Sequence, residues 1–256
     1  MISKQQAAEL SKRYKINETV VVREYLQLLF LKELYSEKFG KRVFFKGGTA
    51  IRLVYGGERF SEDLDFTVDQ KEDELIENLH KFFRRLENLY AFSFKERKTI
   101  TGKTYLMTAT IPQIEQDTFI RLDFSLRSDS VFPLTAILEN KGYPIIMNNL
   151  IWTLGKDEIF AEKIRAFMNR DKFRDLYDLW MLLQLGAKVD IGLINQKLSY
   201  YSEEFDREVF MEKLDSVDKN KFIQDLRPFI PIGQREKLGE LLEIISQYLK
   251  AKLLYY

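Results

Sequence analysis

Residues 46–68 read KGGTAIRLVYGGERFSEDLDFTV and combine closely spaced glycines with closely spaced carboxylates. The stretch begins at the end of a short predicted strand, RVFFK (42–46), and turns at residues 47–49 into a short helix. A second predicted strand, DLDFTV (63–68), follows after two further glycines. A strand, a glycine turn, a helix and another strand in so few residues indicate an α/β unit.

Acidic residues occupy one face of the second predicted strand. Side chains alternate along a strand, so Asp63 and Asp65 point to one face while the apolar residues between and after them point to the core. Two carboxylates so close together repel each other unless a cation lies between them. A third carboxylate, Asp123, alternates with apolar residues in TFIRLDFSLR (118–127) and reaches the same pocket if the two strands are neighbours.

Three carboxylates in one pocket suit magnesium chemistry. Mg²⁺ prefers oxygen ligands, and three carboxylates can hold two ions that clamp an attacking and a leaving oxygen. The alternative is a solvated edge strand with surface acids. For Asp123 the alternative is an exposed position paired with Arg121 or Arg127.

The glycine turn suits a phosphate. Gly47 and Gly48 let the backbone approach a ligand closely, and a helix N-terminus offers N–H groups. Thr49 adds a hydroxyl donor. The turn is therefore predicted to hold a triphosphate beside the carboxylates, and the alternative is an ordinary tight turn.

The pattern of elements changes near residue 150. The first part mixes helices and strands, whereas almost everything after Gly155 has helical periodicity. We predict an α+β protein, with a mixed-sheet α/β domain over 1–150, an all-helical domain over 151–256, and a ligand cleft at their boundary. The further expectations for the first part are helices at 4–13, 18–39 and 71–89, strands at 91–97, 104–111 and 119–127, a turn at Thr101-Gly102, a loop at 112–117 and an irregular segment at 128–155.

Composition narrows the classes of function. Of 256 residues, 45% are hydrophobic and 31% charged, which is typical of a soluble globular protein. The formal net charge of +1 does not indicate any class of binding partner. No cysteine is present and the only histidine is His80, so disulfides, thiolate nucleophiles and zinc sites built on Cys or several His are excluded. Without an apolar run of the roughly 20 residues that span a bilayer, and with a polar N-terminus, the expectation is a cytoplasmic protein without a membrane partner.

Two blocks of sequence resemble a known family. K-G-G-T-A-I-R-L followed by R-F-S-E-D-L-D-F resembles the AbiEii/AbiGii toxin branch of the DNA polymerase β-like nucleotidyltransferase superfamily. The second block, DEIFAEKIRAFMNRDKFRDLYDLW (157–180), looks like the lysine-centred helix and Arg-Asp-x-x-Asp helix of that branch. The 13 residues between Thr49 and Asp63 make a slightly longer loop than the broad superfamily pattern has.

The resemblance implies an activity and a set of residues. It implies an Mg²⁺-dependent nucleotidyltransferase that transfers a nucleotide from an NTP to an acceptor hydroxyl, as a type IV toxin acting on tRNA with a cognate antitoxin protein. The fold would be a nucleotidyltransferase-like domain with a helical domain that completes the nucleotide site. The catalytic set is Asp63, Asp65, Asp123 and Lys163, the first three as metal ligands. The nucleotide-binding set is Gly47, Gly48, Thr49, Arg59, Ser61, Arg170 and Asp175.

Other interpretations stay open from the sequence. The acceptor could be a protein or small-molecule hydroxyl, or the chain could be a non-catalytic nucleotide-binding or partner-binding module. Lys163 could lie on a solvated helix face, and Asp178 could form a helical ion pair with Arg174. The remaining alternatives concern basic residues: Arg52 and Arg59 as phosphate contacts or surface arginines, and Lys95, Arg97, Lys98 and Lys103 as a nucleic-acid contact or an ordinary polar hairpin.

Overall fold

The computed structural model describes residues 1–99, 102–111, 116–126, 133–138 and 140–254. The chain forms two compact units, described separately below. Unit 1 consists of Met1–Gly56 and Phe60–Leu154, and unit 2 of Gly57–Arg59 and Gly155–Tyr256. The predicted α+β class is confirmed.

Unit 1 contains a seven-stranded mixed sheet in the order β3-β4-β5-β2-β1-β7-β6. The pairs β2–β5 and β1–β7 are parallel and the remaining pairs are antiparallel. The strands are β1 Val43–Lys46, β2 Leu64–Val68, β3 Phe92–Arg97, β4 Lys103–Ile111, β5 Gln116–Ser125, β6 Pro133–Ile137 and β7 Leu150–Leu154, and the helices are α1 Lys4–Tyr14, α2 Glu18–Leu34, α3 Gly47–Leu53 and α4 Glu72–Leu89.

One face of the sheet packs against helices and forms the core of unit 1. Phe66 of β2 and Phe124 of β5 stack with ring centroids 5.0 Å apart, and both are buried. Phe30 of α2 lies on Phe66, and Phe83 of α4 stacks on Phe94 of β3 at 4.0 Å. Because strand side chains alternate, this core turns the polar residues of β2 and β5 to the opposite face.

Unit 2 is helical in the part of the chain that the structure describes. Its helices are α5 Lys156–Asn169, α6 Arg174–Gln184, α7 Ile191–Leu198, α8 Arg207–Asp215, α9 Lys219–Leu226 and α10 Leu238–Leu253. Three of them are preceded by an N-cap aspartate whose side chain accepts hydrogen bonds from backbone N–H groups of the first turn. These aspartates are Asp190, Asp206 and Asp218. Such caps satisfy donors that the helix itself leaves unpaired.

The expectation of an irregular segment at 128–155 is wrong at 133–137 and 150–154, whereas residues 140–149 belong to no helix or strand. β6 and β7 form an antiparallel pair at one edge of the sheet. β6 exposes most of its residues and lacks a clear alternation, and β7 is too short a run for periodicity to separate strand from helix. Of the loop predicted at 112–117, residues 112–115 fall outside the described residues, and the prediction is wrong at 116–117, which belong to β5. Thr101 of the predicted turn Thr101-Gly102 also falls outside the described residues.

Helix α2 is also shorter than the predicted 18–39. It ends at Leu34, and a short 3₁₀ helix, Lys38–Arg42, leads into β1. Gly40 allows this tight connection, because a Cβ there would lie 2.4 Å from the carbonyl oxygen of Leu34. Among the residues described, no helix is both long and apolar enough to cross a membrane.

Candidate active site

Asp65 and Asp123 lie next to each other on adjacent parallel strands. The register of β2 and β5 pairs Asp65 with Asp123 directly. Both side chains lie on the face opposite to Phe66 and Phe124, since side chains alternate along each strand. Asp63 immediately precedes β2, which starts at Leu64. The structure therefore brings the two strands with the predicted carboxylates together as neighbours.

The row of polar residues continues on both sides of this pair. Thr104 of β4 is paired with Asp123, and its hydroxyl donates to Oδ1 of Asp123 at 2.6 Å. Lys46 of β1 is paired with Asp65 and is only 6% exposed. Directly opposite residues of antiparallel strands share a face, so the buried lysine lies on the carboxylate side.

Sequence reasoning gave no role to Lys46 and Thr104. A usable signal existed for Lys46, because it directly follows the apolar run Val43, Phe44 and Phe45 in a strand that is buried throughout. A lysine in such a strand needs a partner. Thr104 gave no local signal, because its contact with Asp123 depends on the pairing of β4 with β5.

Arg121 joins two of the carboxylates. Its Nη2 lies 2.7 Å from Oδ2 of Asp123 and 3.4 Å from Oδ2 of Asp63. The ion pair with Arg121, which the sequence left open as an alternative for Asp123, is therefore present. Arg127, the other alternative partner, lies outside the described residues.

The case for a divalent cation at these carboxylates rests on their chemistry. Within the described ranges, no three or more Asp, Glu, His or Cys side chains are arranged as a group that could hold a metal ion. The donor set still fits Mg²⁺, because Asp63 and Asp123 already share one positive group and carboxylate oxygens are the ligands that Mg²⁺ prefers. The acidic residues that would hold the ion are Asp63, Asp65 and Asp123.

Gly47 sets the position of Asp65. It has a φ of +77°, and a Cβ built on it would lie 2.2 Å from Oδ2 of Asp65. Only glycine therefore lets β1 turn into α3 with this carboxylate against the backbone. Gly48 is buried in the first turn of α3.

Two more contacts hold the segment that carries Asp63. Thr49 is 1% exposed, and its hydroxyl donates to the carbonyl oxygen of Asp63 at 2.5 Å. Nε2 of Gln27 donates to the carbonyl oxygen of Ser61 at 3.1 Å. In this structure Thr49 therefore braces a carboxylate segment, and the phosphate role predicted for residues 47–49 stays a prediction.

Arg52 belongs to the interior of unit 1. It is 5% exposed, forms a buried ion pair with Glu24, and its guanidinium lies 3.4 Å from the ring centroid of Phe60. Tyr143 also donates to Glu24, at 3.0 Å. The alternative of a surface arginine is wrong for Arg52.

Unit 2 holds a chain of alternating charges centred on Lys163. Nζ of Lys163 lies 2.7 Å from Asp175 and 2.6 Å from Asp178. Arg59 donates two hydrogen bonds to Asp178, of 2.6 and 2.5 Å. Arg170 donates two to Asp175, of 2.9 and 3.1 Å. We call these five residues the charge chain; its three cations and two carboxylates carry a net charge of +1.

Two alternatives for the charge chain are wrong. Lys163 is 7% exposed rather than solvated, and Arg59 is 5% exposed rather than a surface residue. Arg174 pairs with Asp225, while Lys163 and Arg59 bind Asp178. Arg170 directly follows the end of α5 in an extended conformation.

The charge chain shifts the pKa values of its members. Burial alone would raise the pKa of Asp175, but Lys163 and Arg170 outweigh it and hold that pKa well below its usual range. Burial likewise opposes ionisation of Asp178, and Arg59 and Lys163 lower its pKa overall. Burial would lower the pKa of Lys163, yet Asp175 and Asp178 raise it. All three groups are therefore charged at neutral pH.

The basic residues of the β3–β4 region divide between two environments. Lys103 is paired with Glu72 at 3.2 Å and Glu96 at 3.4 Å. Lys95 and Arg97 are exposed on β3. The register pairs Arg97 with Thr104, which places Arg97 in the polar row that contains Asp123.

The sheet has the architecture of a nucleotidyltransferase, and known structures share it. The protein is similar to MenT4, a nucleotidyltransferase toxin of Mycobacterium tuberculosis, with a TM-score of 0.64 at 18% identity over 97% of this chain and 92% of that one. It is similar to a putative nucleotidyltransferase of Helicobacter pylori, with a TM-score of 0.57 at 19% identity over 94% and 98% of the two chains. JHP933 of Helicobacter pylori gives a TM-score of 0.54 at 21% identity over 94% and 95%. At these identities the likeness shows the fold.

The sequence itself identifies the family. The family described as "Nucleotidyl transferase AbiEii toxin, Type IV TA system" matches residues 29–243, and the chain belongs to this family. No functionally curated protein matches the sequence. The chain is therefore a nucleotidyltransferase, as the resemblance implied, and membership of the family implies an NTP substrate and an antitoxin partner.

Proposed function

We propose that the protein transfers a nucleotide from an NTP to an acceptor hydroxyl in a reaction that depends on Mg²⁺. The observation that carries this proposal is the direct pairing of Asp65 with Asp123, with Asp63 linked to Asp123 through one guanidinium. Asp63, Asp65 and Asp123 would hold two Mg²⁺ ions. When bound, Mg²⁺ stabilises the charge that develops on the transferring phosphoryl group.

Asp123 is the proposed acceptor of the proton from the attacking hydroxyl. Its Oδ1 accepts a hydrogen bond from Thr104. The hydroxyl attacks the α-phosphorus in line, and pyrophosphate leaves. Thr104 fixes the orientation of the carboxylate during this step, because a hydrogen bond to one oxygen limits rotation of the group.

Nucleotide binding is proposed for two groups of residues. In unit 2, Lys163, Arg59 and Arg170 outnumber the carboxylates Asp175 and Asp178, and a net positive cluster suits phosphate. In unit 1, the proposed set is Gly47, Gly48, Thr49 and Ser61. The helical domain is thus proposed to take part in nucleotide binding.

The proposed acceptor is tRNA. Phe119 of β5 is 50% exposed and shares its strand face with Asp123, because the two lie four residues apart. Lys95 and Arg97 are exposed on the same face of β3. An exposed ring for base stacking beside cations for phosphates is the combination that binds single-stranded RNA.

The acceptor is tested by following the label from an NTP into the fractions of a lysate. Label in tRNA that falls severalfold in Phe119→Ala and Lys95→Glu, but not in Lys81→Glu, supports this acceptor surface. Lys81 is a matched control because it is an exposed lysine on α4, the helix that packs on the other face. Label in protein or in small molecules would replace tRNA by one of those acceptors.

The activity is tested by comparing label transfer by the wild type and Asp65→Ala with NTP, Mg²⁺ and total RNA. Loss of a metal ligand is expected to lower the rate at least about 10²-fold. Asp117→Ala is the matched control, because Asp117 is an exposed carboxylate on β5 outside the polar row. Equal transfer by the wild type and Asp65→Ala would refute the proposal.

The cognate antitoxin and the location complete the proposal. Asp65→Ala is proposed to remove toxicity when the chain is expressed without its antitoxin, since toxicity would follow from nucleotidyl transfer. The cytoplasm, where NTP and tRNA meet, is the proposed place of action.

A further inference from the structure

Arg121 lies close enough to Asp63 and Asp123 to neutralise their charge. It lies on β5 two residues before Asp123, so both side chains share one face of the strand. One nitrogen, Nη2, reaches Oδ2 of Asp123 at 2.7 Å and Oδ2 of Asp63 at 3.4 Å. A single guanidinium nitrogen therefore bridges the carboxylates of β5 and of the segment before β2.

Arg121 and Thr104 contact different carboxylate oxygens of Asp123. Thr104 donates to Oδ1 at 2.6 Å, and Arg121 contacts Oδ2. A divalent ion that binds Asp123 through Oδ2 must compete with the guanidinium for the same lone pairs. The divalent ion and the guanidinium cannot bind Oδ2 at full strength at the same time, because two positive groups at one carboxylate oxygen repel each other.

The guanidinium is held loosely enough to leave. The Arg121 side chain is 42% exposed, and those of Asp63 and Asp123 are 27% and 24% exposed. Ion pairs with this exposure are screened by water and exchange at small cost. The contrast with the charge chain is clear, because the side chains of Lys163, Asp175 and Asp178 are all at most 9% exposed.

We propose that Arg121 is an exchangeable counter-cation for Asp63 and Asp123: it neutralises them without metal and swings away when a divalent ion binds. This inference rests on the metal site of the proposed function. It adds that the protein weakens its own metal affinity, so that the carboxylates stay paired until metal arrives. No covalent step is involved, and one positive group replaces another.

The test measures Mn²⁺ binding to the full chain without nucleotide, by the EPR signal of free Mn²⁺. Arg121→Met is expected to bind Mn²⁺ about tenfold more tightly than the wild type, equivalent to ~1.4 kcal/mol. Arg121→Lys, which keeps a charge but has one nitrogen on a flexible stem, is expected to fall between the two. Circular dichroism verifies that each variant is folded.

A matched control separates exchange from a general change in charge. Arg97→Met removes one positive charge from the same polar row at a position paired with Thr104, two strands from Asp123. Its Mn²⁺ affinity is expected to change less than about twofold. Equal tightening in Arg97→Met and Arg121→Met would overturn the proposal, as would unchanged or weaker binding in folded Arg121→Met.

The same experiment distinguishes failure of this inference from failure of the proposed function. Asp123→Asn is expected to lose the Mn²⁺ site in the wild-type background. Mn²⁺ binding that depends on Asp123 but ignores Arg121 refutes only the exchange. Wild-type protein that binds no Mn²⁺ at Asp123 refutes both.

Discussion

At the scale of single residues, the charge chain of unit 2 holds several ionised side chains in the interior. Sequence reasoning selected Lys163, Arg59, Arg170 and Asp175 from the resemblance to a family. It did not predict that Arg59 binds Asp178, because the two lie 119 positions apart and no local pattern connects them. The buried charges are tolerated because each one has an opposite partner.

Lys163→Met tests this dependence. The substitution leaves Asp175 and Asp178 buried without their shared cation, and breaking a buried pair costs about 3–5 kcal/mol. Urea unfolding of both proteins at neutral pH measures the loss. Arg170→Met is the control, with a smaller expected loss because the Arg170 side chain is 44% exposed and Asp175 keeps Lys163. Equal losses in both variants would contradict the account.

Asp175 also predicts a dependence on pH. Its folded-state pKa is lowered, so its ionised form contributes stability above the unfolded-state pKa of about 4. That contribution is lost as the pH falls through the lower, folded-state value. The difference in unfolding free energy between the wild type and Asp175→Asn should therefore be largest near neutral pH and shrink in acid below about pH 4. A difference that stays constant from pH 7 to pH 3 would argue against the ion pairs.

At the scale of elements, alternation predicted the faces of β2 and β5 but not their register. The patterns D-L-D-F and R-L-D-F show which residues face the core. They do not show that β2 and β5 are neighbours, since strand order depends on the whole sheet. The pairing of Lys46 and Thr104 with the carboxylates was unpredictable for the same reason.

The turn from β1 to α3 gives a prediction with an internal control. Gly47→Ala must accept an unfavourable positive φ and place a Cβ 2.2 Å from Oδ2 of Asp65. Gly56→Ala has a similar φ of +81°, but a Cβ there has nothing within 4 Å. We expect Gly56→Ala to cost roughly 1–2 kcal/mol with activity retained, and Gly47→Ala to cost more and to lose nucleotidyl transfer. Thermal unfolding and label transfer measure the two effects, and equal behaviour would show that Asp65 does not depend on Gly47.

At the scale of the whole molecule, the sequence predicted the α+β class of the fold. The predicted boundary lies at 150, whereas β7 at Leu150–Leu154 belongs to unit 1 and Gly57–Arg59 belongs to unit 2. The segment Gly57–Arg59 has only three residues, so it has no periodicity that could assign it to unit 2. Its place depends on contacts such as the pair of Arg59 with Asp178.

The net charge of the whole molecule does not reveal its local concentrations of charge. A net charge of +1 over 256 residues gives no sign of the concentrated acids of β2 and β5 or of the positive charge chain. Both became visible only through motif spacing and the resemblance that it supports. Their exact partners required the three-dimensional structure.

The most direct test of the central claim compares NTP labelled at the α-phosphate with NTP labelled at the γ-phosphate. If the carboxylates of β2 and β5 serve nucleotidyl transfer, the acceptor gains α-label only, and Asp65→Asn or removal of divalent metal abolishes it. Acceptor that gains γ-label, or α-label that Asp65→Asn transfers as fast as the wild type, would contradict the account.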